Sequence, residues 1–255
     1  MPLPPPVSTD DLGLQGCLYL WGLLTSRDRR LLVTPTRRLT LVAMNVLQEQ
    51  GVIEVPWPDA HWGAQPDAEQ TPMEGLQWKL VWHVYEPQQL ITALEDYLGA
   101  VDKDDFGMAL RLRLWVEIGS AETERFFEQQ LVRHHFRSEW AQDVAFVLRD
   151  CDADLTLSQW RYCAWAAVRR GAALAMQQSS PEHTVREVIY RELRQRAAAV
   201  ATGTWTRCAL PPYQQAPESA VARGFTEHLS RLGPLYWNAI PSVEALLAAE
   251  VSRTG

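Results

Sequence analysis

The sequence predicts a mostly α protein with a small β component, and three observations carry that expectation. Apolar residues recur at three- and four-residue spacing over most of the chain, which gives each segment one face to bury. Helix punctuation is frequent: Thr36, Ser120, Thr156 or Ser158, Ser180 and Ser242 stand where caps are needed, and Gly51, Gly99 and Gly233 follow helical stretches. Runs of strand character are few, residues 52–55 and 78–85, with an ambiguous alternation at 110–114.

A chain of 255 residues with 47% hydrophobic and 22% charged composition can fill one large or two small domains. The expected division is a first region over residues 1–100, with a proline-rich lead-in and a long loop, and a helical domain over 101–255. The opening MPLPPPVSTDD has no basic n-region, and the apolar stretch at 12–24 is too short to cross a bilayer and follows two aspartates. A cytoplasmic protein without membrane association is expected. Cys17, Cys151, Cys163 and Cys208 lie far apart with no C-x-x-C pair, so reduced and mostly buried thiols are expected rather than a zinc site or disulfide framework.

In order, residues 12–24 read as a helix. Thr36 caps a second strong one, in which Leu39, Leu41, Val42, Met44, Val46 and Leu47 supply the apolar stripe and Gly51 the stop. Val52 to Val55 is a short β-branched strand closed by Pro56. In the return strand at 78–85, Leu80, Trp82 and Val84 face one side and Lys79, Val81, His83 and Tyr85 the other. Residues 86–98 form a helix with Leu90, Ile91, Leu94 and Leu98 inward. Further helices are expected at 106–118, at 120–131 capped by Ser120, at 138–148, and from Thr156 or Ser158 to 176 with a stripe of Trp160, Ala164, Ala167, Gly171 and Leu174. Ser180-Pro181, Pro217 and Ser242 begin three more, so the second region reads as a helical bundle.

Helix, glycine, short strand and return strand resemble the second half of a winged helix-turn-helix domain. That resemblance covers about the first 85 residues and implies a first helix at 12–24, a cramped second helix at 27–33 and a wing at 58–76.

The front of the chain is acidic and the back mildly basic: residues 1–155 hold 13 Lys and Arg against 24 Asp and Glu, and residues 156–255 hold 11 against 7. Nucleotide-loop, dinucleotide, hydrolase-elbow and metalloprotease motifs are all absent. No cofactor and no metal are expected. Asp150-Cys151-Asp152-Ala153-Asp154 alternates oxygens as a calcium loop does but lacks its glycine and closing glutamate. His135, Glu139 and Asp143 would share a face if one helix ran through them. Arg223-Gly224-Phe225-Thr226-Glu227-His228 is similar to the R-x4-6-H motif of HEPN ribonucleases, a likeness that implies metal-independent RNA cleavage by Arg223 and His228.

Three readings follow. A non-enzymatic subunit or adaptor of a larger assembly would dock protein partners through the first region, with Trp57 and Trp62 as loop anchors and Arg161, Trp165 and Arg169 as a cation–π ladder. A DNA-binding regulator would use Arg37 and Arg38, with Arg27, Arg29 and Arg30 beside them. Six Lys and Arg against twelve Asp and Glu over residues 1–100 weigh against DNA binding outside a complex. The ribonuclease is the third.

Overall fold

The computed structural model describes residues 7–29, 31–54, 78–100, 105–151, 153–178, 180–205, 209–211 and 214–251. They are mostly helical, with one small two-stranded antiparallel sheet. None of their helices is long and apolar enough to cross a membrane. The chain divides into two compact units, one of Met1–Arg111 with Glu218–Arg231, the other of Leu112–Pro217 with Leu232–Gly255.

The first unit is centred on α1 (Thr9–Arg29), which packs against α2 (Arg37–Glu49), α3 (Pro87–Ala100) and α8 (Ala220–Gly224). Leu18, Leu20 and Trp21 of α1, Leu47 of α2, Leu94 and Leu98 of α3, and Val221 and Phe225 are all fully buried. Each such side chain contributes roughly 1.5–3 kcal/mol by leaving water.

The expected α2 forms as its punctuation requires. The Thr36 hydroxyl accepts from the Leu39 N–H at 3.3 Å. Gly51 takes φ +69° and ends the helix in a Schellman motif, Val52 N–H donating to Leu47 C=O and Gly51 N–H to Gln48 C=O, both at 2.9 Å. β1 (Ile53–Glu54) then pairs with β2 (Lys79–Leu80), Ile53 opposite Leu80 and Glu54 opposite Lys79. The return strand is shorter than its apolar run. Past Leu80 the alternation lapses, and Trp82 is buried while Val84 is exposed.

The helix expected at 27–33 does not form. α1 runs on to Arg29, and Leu32 instead makes a parallel bridge to Ser219, its carbonyl accepting from the Ala220 N–H at 2.8 Å. The Val33 carbonyl accepts from Val221 N–H at 2.9 Å. Ser219, two residues after the expected Pro217, caps α8 by accepting from Ala222 N–H at 3.2 Å.

α4 (Asp105–Arg133) is one 29-residue helix. The strand-like 110–114 run is helical, and Ser120 lies inside the helix rather than at a start. Beyond it come a 3-10 segment (Ser138–Asp143), α5 (Val144–Asp150), α6 (Leu157–Gln178), α7 (Glu182–Ala201), α9 (Leu235–Asn238) and α10 (Val243–Val251). Phe127 and Leu131, Val144 and Val147, Ala164 and Ala167, and Ile189 and Leu193 bring α4, α5, α6 and α7 into one core.

α6 opens with a reciprocal cap. Thr156 Oγ1 accepts from Gln159 N–H at 3.3 Å while Gln159 Oε1 accepts from Thr156 N–H at 2.9 Å. At α7 the cap position is Pro181 itself, without a side-chain bond, so Ser180 does not serve. Gly171 explains the small-residue stripe: a Cβ there would collide with Ile189 of α7, at 2.6 Å from its Cδ1.

Candidate functional site

Arg223 and His228 sit where α1, α3 and the chain around α8 meet. α8 passes into a π-helical turn, Phe225–Leu229, a form of backbone often found at functional sites. His228 lies edge-on to Trp21 with ring centroids 5.0 Å apart. Its Nε2 is 3.7 Å from Glu95 Oε1, the oxygen that also accepts from Trp21 Nε1–H at 2.9 Å. Arg223 Nε lies 3.8 Å from Glu227 Oε1. The two side chains of the motif thus face separate carboxylates. Gly224, the motif's second position, has a packing role: a Cβ there would stand 2.6 Å from the Trp21 ring.

Of the expected nucleic-acid residues, Arg38 is exposed at the start of α2. Arg37 is half-buried, with Nε and Nη2 enclosed and without a hydrogen-bond partner among the described residues. Arg29 ends α1, and its side chain, like that of Arg27, lies outside the described part, as do Arg30, Trp57, Trp62 and the expected wing.

The ladder of Arg161, Trp165 and Arg169 is divided. Arg161 is 2% exposed, and its Nη2 lies 2.5 Å from Glu122 Oε2, with its guanidinium over the Trp237 ring at 4.6 Å and the Phe126 ring at 5.2 Å. It belongs to the interior and cannot meet a partner. Arg169 is exposed and stacks on Trp165 at 4.7 Å. Helical geometry gives the reason: eight residues at 3.6 per turn rotate a position by about 80°, enough to send one end of the row inward and the other out.

His135, Glu139 and Asp143 do not share a helix. α4 ends in a second Schellman motif, Phe136 N–H donating to Leu131 C=O at 2.9 Å and His135 N–H to Val132 C=O at 3.0 Å, with His135 at φ +60°. Asp143 pairs instead with Arg186. His134 is held below its ordinary pKa by burial, then by Arg133, Arg169 and His135. Among the described residues no group of three or more His, Cys, Asp or Glu side chains could hold a metal ion. Asp152, within the calcium-like run, lies outside them.

An open groove of about 700 Å³ in the second unit was not among the sites the sequence pointed to. α7 supplies one wall through His183, Arg186, Glu187, Tyr190 and Arg194, spaced by three and four residues on one helix face. Trp140, Phe146 and Val147 make the other wall apolar, and Arg137 and Asp143 edge it. Two ion pairs cross or border the groove, Arg186 with Asp143, and Arg137 Nε with Glu182 Oε1 at 2.8 Å. All four side chains are between 43% and 69% exposed, so each pair is worth about 0–1 kcal/mol and can be exchanged for a partner's charge. Arg194 and His183 are exposed and have no ion-pair partner among the described residues. The spacing 183, 186, 187, 190 and 194 was the available signal, but a polar helix face reads as ordinary solvent-facing surface until a second wall stands opposite it.

The Tyr190 hydroxyl closes the inner end by donating to the Trp140 carbonyl. Burial, then Asp143, pushes its pKa up to about 12. The folded state therefore holds this proton more tightly than the unfolded state, whose phenol titrates near 10. The resulting stability is fully present below about pH 10 and is lost as pH rises through about 12. Urea midpoints of Tyr190→Phe should accordingly fall less between about pH 9.5 and 11.5 than those of the parent protein. Identical falls would show that Tyr190 does not carry this dependence.

No protein-family model matches the chain, and no curated protein or solved structure matches it either.

Proposed function

We propose that the protein is a non-enzymatic interaction subunit or adaptor that docks protein partners within a larger assembly. The observation that carries this reading is the α7 groove, which combines an apolar wall with exposed, weakly held ion pairs, a further guanidinium at Arg194 and an exposed imidazole at His183. Charge arranged this way sets partner choice and encounter rate more than fold stability. The helix, glycine and paired short strands at 36–54 and 78–80 support a winged-helix-like first region serving as a docking platform, and the joint core of α4 to α7 supports a helical bundle in the second. Trp57 and Trp62 remain candidate anchors of the first region. DNA binding has less support, because the region is acidic and of Arg37 and Arg38 only the second is exposed.

The test is affinity capture of the full chain, read by quantitative mass spectrometry, beside an Arg186→Glu, Arg194→Glu variant with unchanged circular dichroism. Specific partners of the parent protein are expected to fall at least about fivefold with the variant, the size expected for rim charges that complement a partner. Equal recovery of every partner would overturn the groove as the docking site.

A further inference from the structure

A second cavity, of about 220 Å³, opens in the second unit beside the N-terminal end of α6. Trp115 and Trp160 contribute aromatic walls, Leu148 and Leu155 aliphatic ones, and Val116 and Ile240 stand half-exposed at its mouth. Its polar lining includes Ser120, Thr123 and Asp154. Thr123 is spent on the Gly119 carbonyl at 3.1 Å. Asp154 is exposed and has no ion-pair partner among the described residues, and the Ser120 hydroxyl has no hydrogen bond there. The cavity therefore has apolar walls with a carboxylate and a hydroxyl left for something else.

Gly119 gives a second and independent observation. A glycine inside a helix is less favourable than alanine, so its presence in the middle of α4 calls for a reason. At Gly22, Gly171 and Gly224 the reason is crowding, because a Cβ would collide with a neighbouring element. At Gly119 the nearest atom to such a Cβ is Leu157 Cδ1, at 3.9 Å, an ordinary contact distance. Packing does not require glycine there. What its missing side chain leaves is the space of the cavity it lines.

We propose that this cavity receives one long basic side chain, an arginine, projecting from a protein partner. The volume of about 220 Å³ has room for the seven non-hydrogen atoms of an arginine side chain. Its methylene stem would lie against Leu148 and Leu155, its flat guanidinium would stack on an indole, and its N–H groups would donate to Asp154 and Ser120. Aliphatic side chains fill the same walls but leave the carboxylate unmatched. This inference rests on the interaction reading above and names the chemistry of the partner, at a cavity separate from the α7 groove.

The full chain is titrated with N-acetyl-arginine methylamide and with the norleucine analogue, following the tryptophan indole N–H signals by NMR. The arginine probe should saturate with a Kd on the order of 1 mM, and the norleucine probe should bind at least about tenfold more weakly. Asp154→Asn should remove most of that preference. Gly119→Leu should abolish binding by filling the cavity, while Gly119→Ala, which only adds a Cβ in open space, should raise the thermal midpoint. Failure of the arginine probe to saturate by about 20 mM, equal binding of norleucine, or an unchanged preference in Asp154→Asn would each overturn the proposal. If the probe fails while Arg186→Glu, Arg194→Glu still releases partners, the arginine cavity is wrong and the interaction reading stands.

Discussion

Glu122→Ala is expected to destabilise the second unit by about 3–5 kcal/mol, because it removes the carboxylate that pairs with the buried Arg161 guanidinium. Glu122 is fully buried and Arg161 nearly so, at 0% and 2% side-chain exposure, and the guanidinium lies over both the Trp237 and Phe126 rings. The Glu122 backbone carbonyl, 3.4 Å from Arg161 Nη2, would remain as an acceptor but carries no full charge. Arg161→Met should cost a similar amount by taking the guanidinium away from the buried Glu122 carboxylate. The pair together behaves differently: Glu122→Leu with Arg161→Met removes both desolvation costs and should lie within about 2 kcal/mol of the parent protein. Urea unfolding of the parent, Glu122→Leu, Arg161→Met and the double variant provides a double-mutant cycle. Single variants that each lose less than about 1 kcal/mol would mean that the pair is solvated in solution.

The second large effect is at Gly224, where alanine should cost about 1–3 kcal/mol and valine more. A Cβ would stand 2.6 and 2.8 Å from two carbons of the Trp21 ring and 3.2 Å from Leu18 Cδ1. Trp21 is fully buried, donates its indole N–H to Glu95 and carries His228 on its edge, so the ring has little freedom to move aside. Across the same crossing, Gly22 lets α1 approach the backbone of Val221, whose nitrogen would lie 3.2 Å from an added Cβ. Thermal midpoints of Gly224→Ala and Gly22→Ala should both fall, and a Gly224→Ala protein as stable as its parent would refute the close crossing. This placement bears on the ribonuclease reading: an R-x4-H spacing arises here in a segment whose glycine is explained by α1, with Arg223 and His228 directed to different carboxylates.

What could be read in advance was local. Thr36 and Gly51 bracket α2 because cap and stop act within four residues of the backbone groups they satisfy, and Ser242 begins α10 for the same reason, accepting from Ala245 N–H at 3.1 Å. Local signals also misled. Ser120 with acidic residues after it has the composition of a helix start, yet Leu114, Ile118 and Phe127 are buried along one continuous α4, and that burial outweighs a marginal cap. Nothing near Leu32 in sequence announces that its carbonyl will bond Ala220, so the expected short helix at 27–33 had no visible competitor. The same limit hid both cavities. Tyr190 and Trp140, or Gly119 and Asp154, become neighbours only when distant segments fold together.

The return of residues 218–231 to the first unit also sets a timetable for synthesis. Residues 1–111 leave the ribosome before the segment that supplies α8, and at about 5–20 residues per second the wait is on the order of 5–20 s. Throughout that interval the Gly22 face of α1 and the carbonyls of Leu32 and Val33 lack the partner they have in the finished molecule. The nascent chain thus presents an apolar helix face beside an unpaired backbone edge, the kind of surface that chaperones bind and that neighbouring chains on a polysome can capture.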